Sequence, residues 1–174
     1  MAQIRLTGTM REITSALDRI AAIGRNPSRV LAAVGEELIQ STQRRFETQT
    51  APDGTPWAPL NPHYAADKAA VRPGAGILTY TQHLRRGISR YVDGRTLVWG
   101  SNLDYAAVHQ FGAVIKPKAG GGDPKKSLHF ALGGRTLMVR SVTIPARPYL
   151  GFTAEDRLTV IEELEDALAR AMRA

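Results

Sequence analysis

The chain has 174 residues and a formal net charge of +7, with 23 lysine and arginine side chains against 16 aspartate and glutamate side chains. This length is typical of one folded domain with its own hydrophobic core. The absence of cysteine excludes a disulfide framework, a thiol nucleophile and a thiolate metal site. No apolar run approaches the ~18 residues that cross a bilayer, and the chain does not begin with a signal-peptide pattern. We therefore expect a protein that is made in the cytoplasm and has no contact with a membrane.

The positive charge is concentrated in one part of the chain. Residues 85–147 hold 11 basic and 3 acidic side chains, whereas residues 154–174 hold 3 basic and 6 acidic ones. Two interpretations of the basic region stay open. It is either a solvated surface or a surface that binds an acidic partner, which would be nucleic acid or a protein.

The N-terminal part, residues 1–48, is predicted to be a helical hairpin. Residues 10–23 have apolar side chains at steps of three and four, and we expect Gly24 to end this helix. Asn26 is in a position to cap a second helix, which the apolar spacing carries to about Phe46. The short link between the two helices favours an antiparallel pair.

A proline-rich loop, residues 49–76, follows the hairpin. Four prolines between Pro52 and Pro62 exclude a continuous helix or an inner strand. We expect Trp57 and Leu60 to hold this loop against the body of the protein. Residues 64–71 are predicted to form one or two helical turns.

Residues 77–150 are predicted to be rich in β structure. Two strand-like runs, 88–92 and 95–99, flank an Asp-Gly pair, which is a strong hairpin signal. The remaining elements predicted in this region are a short helix over 104–111, strands over 113–116 and 142–144, and a second hairpin over 128–132 and 135–139. The expected product is a small antiparallel sheet of β-hairpins with a short inserted helix.

The chain ends in an acidic helix predicted over residues 153–172. Its apolar stripe is expected to be its buried face, and it consists of Leu158, Ile161, Leu164 or Glu165, Leu168 and Met172. The acidic side chains beside this stripe predict docking on a basic surface of the same protein or of a neighbour. Helices, then strands, then a helix predict an α+β fold, and we expect residues 1–174 to form a single domain.

No motif in the sequence predicts catalysis, a metal or a cofactor. The four histidines lack metal-ligand spacing, and no Gly-x-Ser-x-Gly element is present. Residues 120–127 superficially resemble a phosphate loop, but Pro124 removes a backbone donor and a strand-like run follows. We therefore predict that the protein is not an enzyme and has no cofactor, with a metal-dependent enzyme as a remote alternative.

Three segments of the chain occur in a recognisable order: the loop Pro52–Leu60, the short-helix segment Tyr105–Gly112 and the extended segment Ile144–Phe152. Together they resemble the Mu-type phage virion morphogenesis family, the tail completion proteins of tailed bacteriophages. This family commonly has a Thr-Gly-x-Leu-like element, where this chain has Thr81-Gln82-His83-Leu84 without the glycine.

The resemblance implies a non-enzymatic α+β subunit of the virion neck, located at the top of the tail and made in the host cytoplasm. It implies a homo-oligomeric ring, expected to be a hexamer, that contacts other neck and tail proteins and joins heads to tails. A head-closure or tail-terminator protein of the same neck is the nearest alternative. A basic nucleic-acid-binding protein is the alternative from another class, and contact with DNA in the channel is compatible with both.

The candidate residues lie in an assembly interface that includes the short helix, the basic loop 116–126 and the extended segment. Arg147 lies between two prolines and is expected to contact a carboxylate of an adjacent subunit. Two alternatives stay open: the apolar side chains of the short helix belong to the core, and the extended segment packs on its own domain. The full candidate set is Tyr105, His109, Gln110, Phe111, Lys116, Lys118, Lys125, Lys126, Pro145, Arg147 and Pro148.

Overall fold

The computed structural model describes residues 10–117, 127–132 and 134–173, and these form an α+β fold, as predicted. The helices are α1 Met10–Arg25, α2 Ser28–Thr48, α3 Pro62–Val71, α4 His83–Arg86, α5 Ala106–Phe111 and α6 Ala154–Arg173. The strands are β1 Ile88–Asp93, β2 Thr96–Ser101, β3 Ala113–Ile115, β4 Leu128–Leu132, β5 Arg135–Val139 and β6 Val142–Ile144. None of the helices in these ranges has the length and apolar character that crossing a bilayer requires.

Within the described ranges, the strands pair into three two-stranded antiparallel ladders rather than one sheet. The pairs β1–β2 and β4–β5 are hairpins. The strands β4 and β5 have the predicted bounds, whereas the β1–β2 turn lies at Gly94 and Arg95, one residue later than predicted. The third pair joins β3 to β6, with Ala113 opposite Ile144 and Ile115 opposite Val142. The β3–β6 pair joins strands that are distant in the sequence, so it adds to the two predicted hairpins an antiparallel ladder that is not itself a hairpin.

The described residues belong to two compact units. One unit takes its residues from Met1–Ile39, Arg90–Trp99 and Ala154–Ala174, and the other from Gln40–Ser89 and Gly100–Thr153. We call them the helical unit and the strap unit. The helices α1 and α6 lie in the helical unit, and α3, α4, α5 and the ladders β3–β6 and β4–β5 lie in the strap unit.

In the helical unit, the tip of the β1–β2 hairpin packs against α2 at a glycine. Gly35 is buried, and a Cβ atom there would lie 2.4 Å from Cδ of Arg90 and 2.9 Å from Cδ1 of Leu97. The prediction that Gly24 ends α1 was wrong, because the helix continues to Arg25. The carbonyl of Gly24 instead accepts a hydrogen bond from Nη2 of Arg95 at 2.7 Å.

The helix α6 buries a different face from the one that its apolar stripe predicted. Asp156 and Ala167 are its buried residues, whereas Leu158 is 61% exposed and Ile161 is 52% exposed. Leu164, Leu168 and Met172 are also exposed. The expectation of a stripe buried within the chain was therefore wrong. Small side chains such as Ala167 permit close packing, and the large apolar side chains point to solvent.

The core of the strap unit is an aromatic cluster. Phe46 from α2 packs edge-on against Trp57 and tilted against Tyr149, with both pairs of ring centroids 5.4 Å apart. All three side chains are buried, and Tyr149 is 1% exposed. The prediction that Trp57 holds the proline-rich loop against the body is confirmed. Burial of three aromatic side chains contributes several kcal/mol on the usual scale of about 25 cal/mol per Å² of apolar area.

The departure from the Thr-Gly-x-Leu pattern leaves a strained residue ahead of α4. Gln82 has φ 63° and ψ 0°, which is left-handed backbone that glycine adopts without a steric penalty. The turn still forms, and Leu84 is buried two residues later. The chain therefore keeps the local geometry at the cost of backbone strain at Gln82.

Candidate functional site

The three segments that carry the family resemblance meet in the strap unit. We call residues 144–150 the strap. Nε1 of Trp57 in the proline-rich loop donates to the carbonyl of Pro148 at 2.7 Å. The backbone amide of Arg147 donates to the carbonyl of His109 in α5, also at 2.7 Å. The strap is thus held by both of the other segments.

Gln110 of α5 binds the strap backbone at three points. Its Oε1 accepts hydrogen bonds from the amides of Tyr149 and Leu150, each at 3.0 Å, and its Nε2 donates to the carbonyl of Leu150 at 3.0 Å. The hydroxyl of Tyr149 donates to the carbonyl of Ala106 at 3.2 Å. One amide side chain therefore satisfies the backbone polar groups of an extended segment that has no sheet partner at these positions.

Gly112 allows the chain to turn from α5 into β3 directly beside the strap. Its φ is +73°, and a Cβ atom there would lie 2.8 Å from the amide nitrogen of Ala146 and 3.0 Å from the carbonyl oxygen of Ile144. Both the backbone conformation and the close approach require glycine at this position.

Beside the strap lies a cavity of about 620 Å³, which we call the basic pocket. Its walls are largely apolar and include Leu60, Leu78, Leu84, Phe130, Val142 and Ile144. Three basic side chains line it as well: Lys68 from α3, His109 from α5 and Arg147 from the strap. Its size falls within the ~300–1,000 Å³ that is usual for ligand pockets.

The two cations of the basic pocket are buried and bind only neutral groups. Lys68 is 4% exposed, and its Nζ donates to the carbonyl of Gly76. Arg147 is 5% exposed, with Nε donating to the carbonyl of Ala58 at 2.7 Å and Nη2 to that of Pro59 at 2.9 Å. No ion pair within the described ranges joins either cation to an acidic side chain.

Burial and mutual repulsion shift the titration of these groups. Burial lowers the pKa of Lys68, and the nearby charge of Arg147 lowers it further. The pKa of His109 is lowered by the same two causes in the same order, so its ring is neutral at pH 7. Nδ1 of His109 is buried and has no hydrogen-bond partner among the described atoms. The pocket thus holds two positive charges and an unused imidazole nitrogen.

The structure separates the predicted interface residues into two groups. Phe111 is 78% exposed, and Tyr105, Lys116 and Pro145 are exposed as well. Tyr105 and Phe111 therefore do not belong to the core, which removes that alternative for these two side chains. Tyr105 also packs edge-on against His109, with ring centroids 5.9 Å apart.

The second group is used within the chain. Gln110, Arg147 and Pro148 all take part in holding the strap, so the structure favours the alternative in which this segment packs on its own domain. Lys118, Lys125 and Lys126, with most of the basic loop, lie outside the described residues.

Sequence reasoning missed Lys68, the residue of the basic pocket that is most unusual for its burial. A sequence signal for it is weak but present: Lys68 lies between alanine pairs in the short helix α3, where a buried face would be expected. The described residues contain no group of three or more His, Cys, Asp or Glu side chains that could hold a metal ion. The chemistry that the pocket offers is therefore recognition of an anionic group by fixed cations in apolar surroundings.

The fold and the pocket define a small α+β protein with a cation-lined cavity, and comparison with known proteins identifies its family. Residues 9–169 match the phage virion morphogenesis family, and the chain belongs to that family. This confirms the resemblance found in the three segments, and with it the assignment to phage virion morphogenesis and tail completion.

Three relatives align over most of their lengths. The tail completion protein S of Escherichia phage P2 is 29% identical over 87% of this chain and 89% of its own length. The capsid assembly protein G of Escherichia phage Mu is 29% identical over 94% of this chain and 93% of its own. The Mu-like prophage FluMu G protein 2 of Haemophilus influenzae is 28% identical over 90% of this chain and 88% of its own length. No solved structure matches the chain.

Proposed function

We propose that this chain is a non-enzymatic structural subunit of the virion neck, which forms a ring at the top of the tail and joins filled heads to tails. The observation that carries this proposal is its family membership over residues 9–169, together with its similarity to the tail completion protein of phage P2. The subunit is made in the host cytoplasm and enters the virion on assembly. Its partners are further copies of itself, in a hexameric ring, and other neck and tail proteins.

The exposed apolar side chains of the described residues support an assembly role. A soluble monomer rarely leaves large apolar side chains together on its surface, and such patches are typical of protein interfaces. Phe111 of α5 and the stripe of α6 are exposed in this way. A ring needs heterologous contacts, in which one surface of a subunit meets a different surface of the next.

The proposal is tested by inactivating the gene in a phage genome that carries it and examining the lysate by electron microscopy. We expect full heads and complete tails to accumulate separately, and the wild-type gene supplied in trans to restore joined particles. Joined, infectious particles in the absence of the protein would refute the proposal. Native mass spectrometry of the purified chain measures the number of subunits in the ring.

An order-of-addition experiment distinguishes tail completion from head closure. Purified protein is incubated with the separated tails or with the separated heads before the two are mixed. A tail completion subunit restores infectivity when it meets the tails first, whereas a head-closure subunit does so when it meets the heads first.

The remaining part of the proposal is contact between the basic loop and DNA in the channel. Of the candidate lysines of this loop, Lys116 lies within the described residues, and its side chain is exposed. Binding of duplex DNA through such cations must weaken steeply as the salt concentration rises. A DNA titration at two salt concentrations that shows no binding at the lower one would exclude this contact.

A further inference from the structure

The basic pocket contains positive charge that nothing in the described part of the chain neutralises. Lys68 and Arg147 are almost fully buried, and their hydrogen bonds go to carbonyl groups alone. A buried cation without an anionic partner is costly, and natural proteins rarely keep one unless a partner or ligand compensates it. The pocket is therefore built to receive a negative group from outside the strap unit.

The walls of the pocket decide what carries this negative group. Leu78, Leu84 and Ile144 line the same pocket as the two cations, which favours a ligand that brings apolar atoms together with its anion. Phosphates of duplex DNA carry no apolar group, and proteins reach them with exposed cations. A carboxylate set among large aliphatic side chains on a protein helix has the required chemistry.

The helix α6 presents such a surface. Glu165 lies within the exposed apolar stripe, four residues after Ile161 and three residues before Leu168, which places all three side chains on one face. The neighbouring Asp166 already forms an ion pair with Arg170, in which Oδ2 of Asp166 lies 3.8 Å from Nη1 of Arg170. Glu165 has no such ion pair within the described ranges.

We propose that α6 of one copy of this chain inserts Ile161, Glu165 and Leu168 into the basic pocket of the next copy, where the Glu165 carboxylate pairs with Lys68 and Arg147. This inference deepens the proposed ring and rests on it. Every copy carries both the exposed apolar stripe with Glu165 and the basic pocket, so the contact joins two different surfaces and is heterologous. Such contacts form a closed ring when the rotation from one copy to the next adds up to a full turn.

The geometry at Arg147 leaves donors for this contact. A guanidinium has five N–H groups, and the two hydrogen bonds to Ala58 and Pro59 use one N–H each. The bonds to these carbonyls also fix the side chain in place, so it loses little further freedom when a carboxylate arrives. The unpartnered Nδ1 of His109 lies on a ring that lines the same pocket.

The first test compares two variants of the full chain that each remove one negative charge from α6. Glu165→Gln changes the residue in the stripe, and Asp166→Asn changes an exposed residue that lies roughly 100° around the helix from it. Sedimentation velocity over a concentration series measures self-association. We expect Glu165→Gln to raise the dissociation constant between copies by about 30-fold or more and Asp166→Asn to leave it nearly unchanged. Equal effects of the two variants, or a wild-type chain that stays monomeric at about 100 μM, would overturn the proposal.

The second test maps the contact directly. A photoreactive amino acid replaces Leu168 in the full chain, and ¹⁵N-labelled and unlabelled copies are mixed before irradiation. We expect cross-links between differently labelled copies that end in residues 60–84 or 142–147, which supply most of the pocket wall. Cross-links to other parts of the chain, or in assembled particles to a different virion protein alone, would show that another occupant covers the stripe.

These results are separable from those that test the neck function. If the gene proves dispensable for joining heads to tails, the proposed function fails whatever the cross-links show. If the gene is required but Glu165→Gln associates as the wild-type chain does, only the contact proposed here is wrong.

Discussion

Replacing Gln110 by alanine tests whether this residue, predicted from sequence as an interface residue, instead stabilises the fold. The substitution removes three hydrogen bonds and leaves the amides of Tyr149 and Leu150 and one strap carbonyl without their partner. At about 1 kcal/mol net for each bond, the free energy of unfolding should fall by about 3 kcal/mol. For a chain of this size that lowers Tm by roughly 6–12 °C.

The assay is urea unfolding followed by tryptophan fluorescence in a Trp99→Phe background. Trp57 then reports alone, and it belongs to the strap unit. The free energy of unfolding falls with urea concentration at a slope m of about 2 kcal/mol/M, so we expect the urea concentration at the unfolding midpoint to be roughly 1.5 M lower for Gln110→Ala. Gln40→Ala, at an exposed site on α2, serves as the control and should change stability by less than about 0.5 kcal/mol.

Gln110→Glu refines the test, because a carboxylate still accepts from both strap amides but cannot donate to the carbonyl of Leu150. It should lie between wild type and Gln110→Ala. If Gln110→Ala shifts the midpoint no more than Gln40→Ala does, the three bonds do not stabilise the strap, and the reasoning is wrong.

Three further predictions concern glycine geometry, backbone strain and pH. Gly112→Ala should cost at least about 2 kcal/mol more than Gly134→Ala in urea unfolding, because both have positive φ but only Gly112 abuts backbone atoms of the strap; equal costs would show that the strap shifts to make room. Gln82→Gly should stabilise the chain by about 1 kcal/mol by removing left-handed strain, whereas Gln40→Gly in α2 should destabilise it by a similar amount; a thermal melt in which both variants lose stability would contradict this. Burial lowers the pKa of His109 from 6.5, so the folded chain resists a protonation that the unfolded chain accepts; the contribution of neutral His109 to stability is therefore complete above pH 6.5 and is lost as the pH falls below it. Urea midpoints measured from pH 7 to 5 should decline less for His109→Gln than for the wild-type chain. Parallel curves would exclude His109 as the cause of the loss of stability in acid.

The local elements of this protein are readable from its sequence. The Asp-Gly pair at residues 93–94 predicted a hairpin turn to within one residue of its observed place, and the spacing of Val34, Leu38 and Phe46 marked the buried face of α2. Such signals depend on neighbours within a few residues, where backbone preference and helical periodicity act directly. The order of three short segments also identified the family, which the match over residues 9–169 confirmed.

Only the tertiary structure decided how distant segments combine. Periodicity showed that α6 has an apolar stripe, but it could not show that Asp156 and Ala167 face inward while Leu158 and Ile161 face solvent. That choice depends on the shape of what packs against the helix, which is set by residues far away in the chain. Spacing alone likewise could not bring Lys68 beside Arg147, because their proximity arises when the strap folds between the proline-rich loop and α5. The sequence thus determined the elements and the family, and the packing of the strap created the basic pocket.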